Sequence, residues 1–80
     1  MLKKKKIIVT GGAGFVGTNL INLLLSKTKY QIISIDDYSS GKKSNEIKNI
    51  RVRYIKSKTV NISKVIKNTK GIKTVFHFGE

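Results

Sequence analysis

Glycines at positions 11, 14 and 17, in the run Thr10-Gly11-Gly12-Ala13-Gly14-Phe15-Val16-Gly17, are spaced for holding a phosphate group against bare backbone. Each answers a separate steric demand. Gly11 permits a tight turn from strand to helix, Gly14 lets the backbone approach a diphosphate, and Gly17 allows a helix to pack closely on a strand. A diphosphate placed there would meet the unpaired N–H groups and the positive dipole end of the following helix. Asp36 stands 19 residues beyond Gly17, where a ribose-binding acid is expected. A carboxylate at that place accepts hydrogen bonds from ribose hydroxyls and repels a 2′-phosphate, so the pattern favours NAD over NADP.

These groups need a scaffold that brings them to one edge. Ile7-Ile8-Val9 is a short β-branched run that reads as a buried strand. Gly14 to about Ser26 reads as a helix, with Val16, Leu20, Leu23 and Leu24 as its apolar stripe. Gln31 to Asp36 is a second strand, and Tyr38 to about Asn45 a loop rich in Ser, Gly and Lys. Glu46 to Ile50 is expected to add a helical turn. Arg51 to Lys56 alternates base and apolar residue, as a half-exposed edge strand does. Asn61 to about Lys70 reads as a short helix with Ile62, Val65 and Ile66 inward and Gly71 as its cap. Thr74 to Phe78 is the last strand. Strands separated by helices need crossovers, so the sheet is parallel and right-handed. The fold class is α/β: a Rossmann-type parallel sheet, helices on both faces, strand order 3-2-1-4. Such a sheet normally continues through two more strands. Residues 1–80 are therefore expected to be the amino-terminal part of an NAD(P)-binding domain, without catalytic or substrate-binding parts.

The run Thr10 to Leu20 resembles the cofactor loop of extended short-chain dehydrogenase/reductases, and among them NAD-dependent epimerase/dehydratases of nucleotide sugars. Ile32 to Asn45 is similar to their second strand and adenosine loop, and Thr74 to Phe78 to their fourth strand. The resemblance implies that Gly11, Gly14, Phe15 and Val16 line the diphosphate, with Gly17 behind them. It implies that Asp36 and Asp37, with Tyr38, Ser39, Ser40 and Gly41, hold the adenosine ribose. Phe78 and Gly79 would lie near the middle of the cofactor. It further implies an enzyme that oxidises a sugar carbon by hydride transfer to NAD, rearranges the keto intermediate and returns the hydride. A homodimer is the expected complete form. Two stretches depart from the family pattern. Ser57-Lys58-Thr59 stands where Gly-Asp-Ile is usual, which replaces the acceptor for the adenine amino group by a lysine. Gly79-Glu80 stands where two alanines are usual.

Composition excludes several other classes. With no cysteine, one histidine and four acids, neither a disulfide framework nor a metal cluster is expected. No apolar run reaches the length needed to span a membrane. The lysines at 3–6 are followed by an apolar stretch far too short for a secretory signal, so a cytoplasmic protein is expected. Seventeen bases against four acids give a net charge of +13, which would suit a polyanion binder. Yet Lys, Ile and Asn make up 33 of the 80 residues, the bias of an AT-rich coding sequence, and this reading is preferred to a nucleic-acid partner. A small basic nucleic-acid-binding protein and a non-catalytic dinucleotide-sensing module stay as alternatives. The family's Tyr-x-x-x-Lys spacing occurs at Tyr38…Lys42 and Tyr54…Lys58, but Tyr38 follows the second strand at the adenosine end and Tyr54 sits within the third strand, neither within reach of a nicotinamide, so no catalytic residue is named. His77 sits among apolar residues and reads as a core histidine.

Overall fold

In the computed structural model, residues 5–58 and 62–77 are described. The elements run β1 (Lys6–Thr10), α1 (Phe15–Lys27), β2 (Gln31–Asp36), β3 (Val52–Lys56), α2 (Ile62–Asn68) and β4 (Ile72–His77), with a 3-10 turn at Lys43–Asn45 between β2 and β3. All three strand pairings are parallel and the sheet order is β3-β2-β1-β4, as expected from the crossovers. The strands all start at one end of the sheet, which we call its foot. Lys6 pairs with Gln31 and with Ile72, and Ile32 pairs with Val52.

Side chains alternate across a strand, so the continuous apolar runs feed two cores at once. Ile7, Val9 and Ile32 face α1, where they meet Ile21 and Leu24. Ile8, Ile33 and Ile35 face the other way and pack against Val65 and Ile66 of α2. Each of these isoleucines contributes about 1.5–3 kcal/mol by leaving water.

Helix α1 buries only part of the expected stripe: Leu24 is in the core and Leu20 packs against it, but Val16 and Leu23 are not. Gly17, Ile21 and Leu24 are buried, while Val16 is 57% and Leu23 is 52% exposed. The close approach of Gly17 to the glycine loop sets which way the helix is turned. At 3.6 residues per turn, 17, 21 and 24 then share the inner face and 16 and 23 are swung off it.

The end of α1 is closed by a residue from another element. Thr28 donates its N–H and its hydroxyl to the Leu24 carbonyl, both at 2.8 Å. The Arg51 guanidinium, arriving from just before β3, donates to the carbonyls of Leu25 at 2.6 Å, Thr28 at 2.6 Å and Tyr30 at 3.2 Å. The first two belong to the last turn and cap of the helix, which leave carbonyls without intrahelical donors, and the third to the connection into β2.

Three further boundaries differ from expectation. No helical turn forms at Glu46–Ile50; the turn lies earlier, at Lys43–Asn45, where the loop folds back on the glycine run. Strand β4 starts at Ile72 rather than Thr74, because Gly71 accepts the Lys6 N–H at 2.9 Å and begins the pairing early. Gly71 has φ 79°, but α2 ends at Asn68, so the glycine turns the chain into β4 instead of capping the helix. Among the described residues, no helix is long and apolar enough to cross a membrane, and no group of His, Cys, Asp or Glu is placed to hold a metal.

Candidate functional site

Strand β1 is flanked by β2 and β4: α1 carries the chain from β1 outward to β2, and α2 carries it from β3 back across to β4 on the other side of β1, so the strand order reverses at β1. The sheet end where its strands finish has a crevice at such a reversal, and in open α/β sheets ligands occupy it. The glycine run lies there, between β1 and α1.

Its four glycines have separate physical reasons. Gly11 adopts φ 73°, a region L side chains avoid, and its N–H bonds to the Ile35 carbonyl at 2.7 Å. A Cβ on Gly17 would come within 2.2 Å of the Gly11 carbonyl oxygen, and one on Gly12 within 1.9 Å of the Ser34 hydroxyl. Gly14 is the exception. It has ordinary extended backbone (φ −83°), and a Cβ there would meet only the Gly11 oxygen, at 3.4 Å. Backbone conformation explains glycine at 11 and protein packing explains it at 12 and 17, whereas at 14, at the amino end of α1, a methyl would make only one ordinary contact. Phe15 is 81% exposed beside it, and Val16 is exposed as well. The first intrahelical bond is from Thr18 N–H to the Gly14 carbonyl, so the amides of Phe15 and Val16 belong to the first turn that has no i−4 acceptor.

Asp36 closes the other side. It is buried at 8% exposure, one carboxylate oxygen accepting the Ala13 N–H at 2.9 Å and the other the Tyr38 N–H at 2.8 Å. A carboxylate has about four acceptor positions, so two remain for ribose hydroxyls. The loop after β2 is stapled to the glycine run as well. The Ala13 carbonyl accepts from Lys42 N–H at 3.2 Å and from Asn45 Nδ2 at 2.9 Å. Gly41 lies so close that a Cβ would stand 2.7 Å from the Asp36 carboxylate and 2.9 Å from Ala13.

Tyr38 holds the turn in between, in the left-handed region at φ 64°. Its hydroxyl donates to the Glu46 carboxylate, and burial together with that acid pushes the phenol well above its ordinary range. Asp37 points outward, its carboxylate accepting the N–H and the hydroxyl of Ser39, bonds that hold its carboxyl below the usual value. Ser39 and Ser40 are exposed. The Tyr54 hydroxyl accepts the Ile47 N–H at 2.9 Å, and burial raises this phenol too. Both tyrosines of the Tyr-x-x-x-Lys spacings are thus tied to the loop after β2. Lys58 is exposed, one residue past Ser57, whose N–H bonds to the Asp36 carbonyl at 2.9 Å. The charge reversal therefore falls beside the end of β2 that carries Asp36.

Gly11, Gly14, Phe15, Val16, Gly17, Asp36, Asp37, Tyr38, Ser39, Ser40 and Gly41 come together along one edge, while Phe78 and Gly79 lie outside the described residues. Sequence reasoning missed Gly12, Ala13, Asn45 and Glu46. Gly12 answers to Ser34 on another strand, and Asn45 reaches Ala13 from 32 residues away, so no local pattern marks either.

The site suits a dinucleotide: an uncrowded amino-terminal helix turn over Gly14 for the diphosphate, and a carboxylate with spare acceptor positions for the ribose. Comparison with known proteins agrees. Residues 7–80 match the profile of the NAD dependent epimerase/dehydratase family. Over 40 residues the chain is 45% identical to UDP-glucuronic acid decarboxylase 6 of Arabidopsis thaliana, covering 50% of this chain and 12% of that protein. Over 75 residues it is 31% identical to ADP-L-glycero-D-manno-heptose-6-epimerase of Alkalilimnicola ehrlichii, covering 91% of this chain and 23% of the relative. The crystal structure of the Bordetella bronchiseptica enzyme WbmF in complex with NAD+ superposes with a TM-score of 0.80 at 29% identity, over 96% of this chain and 23% of that one. The chain thus spans a quarter or less of the length of these relatives.

Proposed function

The chain belongs to the NAD-dependent epimerase/dehydratase family, and from that premise we propose that it forms the adenosine diphosphate grip for NAD in an enzyme acting on nucleotide sugars. The observation that carries the proposal is that a Cβ on Gly14 would touch nothing but the Gly11 oxygen, at 3.4 Å, which makes it the one glycine of the run whose missing side chain the protein itself does not require.

On this reading the amides of Phe15 and Val16 bond the diphosphate, aided by the dipole of α1. Asp36, fixed by two backbone amides, offers its remaining acceptor positions to the adenosine ribose. Asp37 and the Ser39–Gly41 stretch border the same sugar. NAD, when bound, takes a hydride from a sugar carbon and gives it back. The described residues bind and orient; none is assigned a part in proton or hydride transfer, because both Tyr-x-x-x-Lys pairs serve the loop after β2. The 80-residue chain is accordingly expected to bind NAD weakly and to turn over nothing by itself. A nucleotide sugar as substrate is supported by the names of the two relatives, one acting on a UDP-sugar and the other on an ADP-sugar. The family reading extends to a cytoplasmic homodimer as the working enzyme.

The test is a titration of the 15N-labelled chain with NAD and with NADP. NAD is expected to shift the amides of Gly14–Val16 and Asp36–Gly41 and to bind more tightly than NADP. Tighter binding of NADP, or shifts that avoid both segments, would overturn the assignment.

A further inference from the structure

A cavity of about 500 Å³ opens at the foot of the sheet, at the opposite end from the glycine run. It lies on the α2 side, bordering the cluster that Ile33 and Ile55 form with Val65 and Ile66. Ile33 and Ile55 form an apolar floor, and Lys6, Arg53 and Lys70 stand around it. Its volume falls within the range of small-molecule sites.

The charges there have no internal counterpart. Asp36 and Asp37 end β2 at the far edge, and Glu46 is bound to Tyr38 in the loop beside them. Among the described residues, no acid stands at the foot. Arg51, which also borders the cavity, is occupied by the α1 carbonyls. The Lys6 ammonium is held in place by the Lys70 carbonyl at 3.1 Å, a bond that uses one of its three donors. Arg53 and Lys70 are exposed and free to turn inward. Convergent cations repel one another, and a bound anion relieves that repulsion. An apolar floor rewards a ligand that also carries a flat, weakly hydrated body.

We propose that this cavity is a second anion site, which takes a small organic polyphosphate of nucleotide type with its flat body on Ile33 and Ile55 and its phosphates toward Lys6, Arg53 and Lys70. The site is separate from the glycine run and does not depend on the NAD reading.

The probe is ATP, titrated into the 15N-labelled chain at about 0.15 M salt, where screening beyond about 8 Å suppresses diffuse attraction. One saturable set of shifts is expected at Lys6, Ile33, Arg53 and Lys70. The double variant Arg53→Glu/Lys70→Glu, altered only at exposed positions, should weaken this binding at least about tenfold. Shifts produced by NAD at Gly14 should persist in it. Shifts confined to the Gly14–Asp36 edge would overturn the proposal. So would shifts spread without saturation over all the lysines. Failure of the NAD reading would appear separately, as silence of Gly14 toward NAD while ATP still marks the foot.

Discussion

Replacing Gly17 and Gly14 by alanine, one at a time, separates what the glycine run does for the fold from what it does for a ligand. Helix propensity alone says that Gly17→Ala should stabilise the protein by about 1 kcal/mol, since glycine is that much poorer than alanine inside a helix. The structure predicts the opposite sign. The new Cβ would lie 2.2 Å from the Gly11 oxygen, 2.7 Å from Gly12 Cα and 2.9 Å from Gly11 C, all backbone atoms that cannot rotate away. Relief requires moving the start of α1 by about 1 Å, and overpacking of this kind costs about 3 kcal/mol at the upper end of its usual range. The net loss is about 2 kcal/mol, or about 10 °C in Tm for a chain of this size. Gly14→Ala meets no such obstacle. At an N-cap with extended backbone it costs about 0.5 kcal/mol. Its methyl stands in the space assigned to the diphosphate, however, and NAD affinity should fall at least about tenfold, equivalent to about 1.4 kcal/mol. Urea unfolding followed by circular dichroism reads the first effect, and an NAD titration read at the Phe15 and Val16 amides reads the second. A Gly17→Ala protein as stable as the parent would refute the packing argument. A Gly14→Ala protein that keeps its NAD affinity would refute the diphosphate placement.

Arg51→Ala removes three bonds to carbonyls at the end of α1 and should cost about 2–3 kcal/mol, with Arg51→Lys intermediate because one ammonium cannot span all three acceptors. The exposed Arg53→Ala is the control and should lie within about 0.5 kcal/mol of the parent; equal melting of the two alanine variants would remove Arg51 from this role. The Tyr38 phenol has a folded-state pKa above its ordinary value of 10.0, through burial and then through Glu46. Its stabilising contribution is therefore complete below pH 10 and is lost as pH rises above that value toward the folded-state pKa. Phenolate absorbance should show Tyr38 ionising later in the folded chain than in urea, and Glu46→Gln should reduce that delay; coincident titration curves would contradict the contact.

The glycine spacing, the acid at the end of β2 and the β-branched runs were legible because each follows from local backbone chemistry. A turn with positive φ needs Gly11 whatever surrounds it, and a run such as Ile7-Ile8-Val9 suits a strand buried on both faces. Strand order also followed, since crossover chirality leaves few alternatives. The inner face of α1 was read correctly at Leu20 and Leu24 but not at Val16 and Leu23, because apolar residues at helical spacing cannot say which of them is turned inward. That is decided by the contact of Gly17 with Gly11 and Gly12. The turn expected at Glu46–Ile50 appeared instead at Lys43–Asn45, where Lys42 and Asn45 reach the Ala13 carbonyl.

By itself, then, the chain of residues determined the fold class, the parallel order of strands and the glycine turn at the carboxyl edge of the sheet. Tertiary structure alone decided that Gly14 is the glycine the protein's own packing does not require, that Asp36 spends half its acceptor capacity on Ala13 and Tyr38, and that Arg51 closes the end of α1. The physical reason is range. Dihedral preference and side-chain alternation act between neighbours in the chain, whereas steric exclusion and hydrogen-bond satisfaction depend on which distant segments meet.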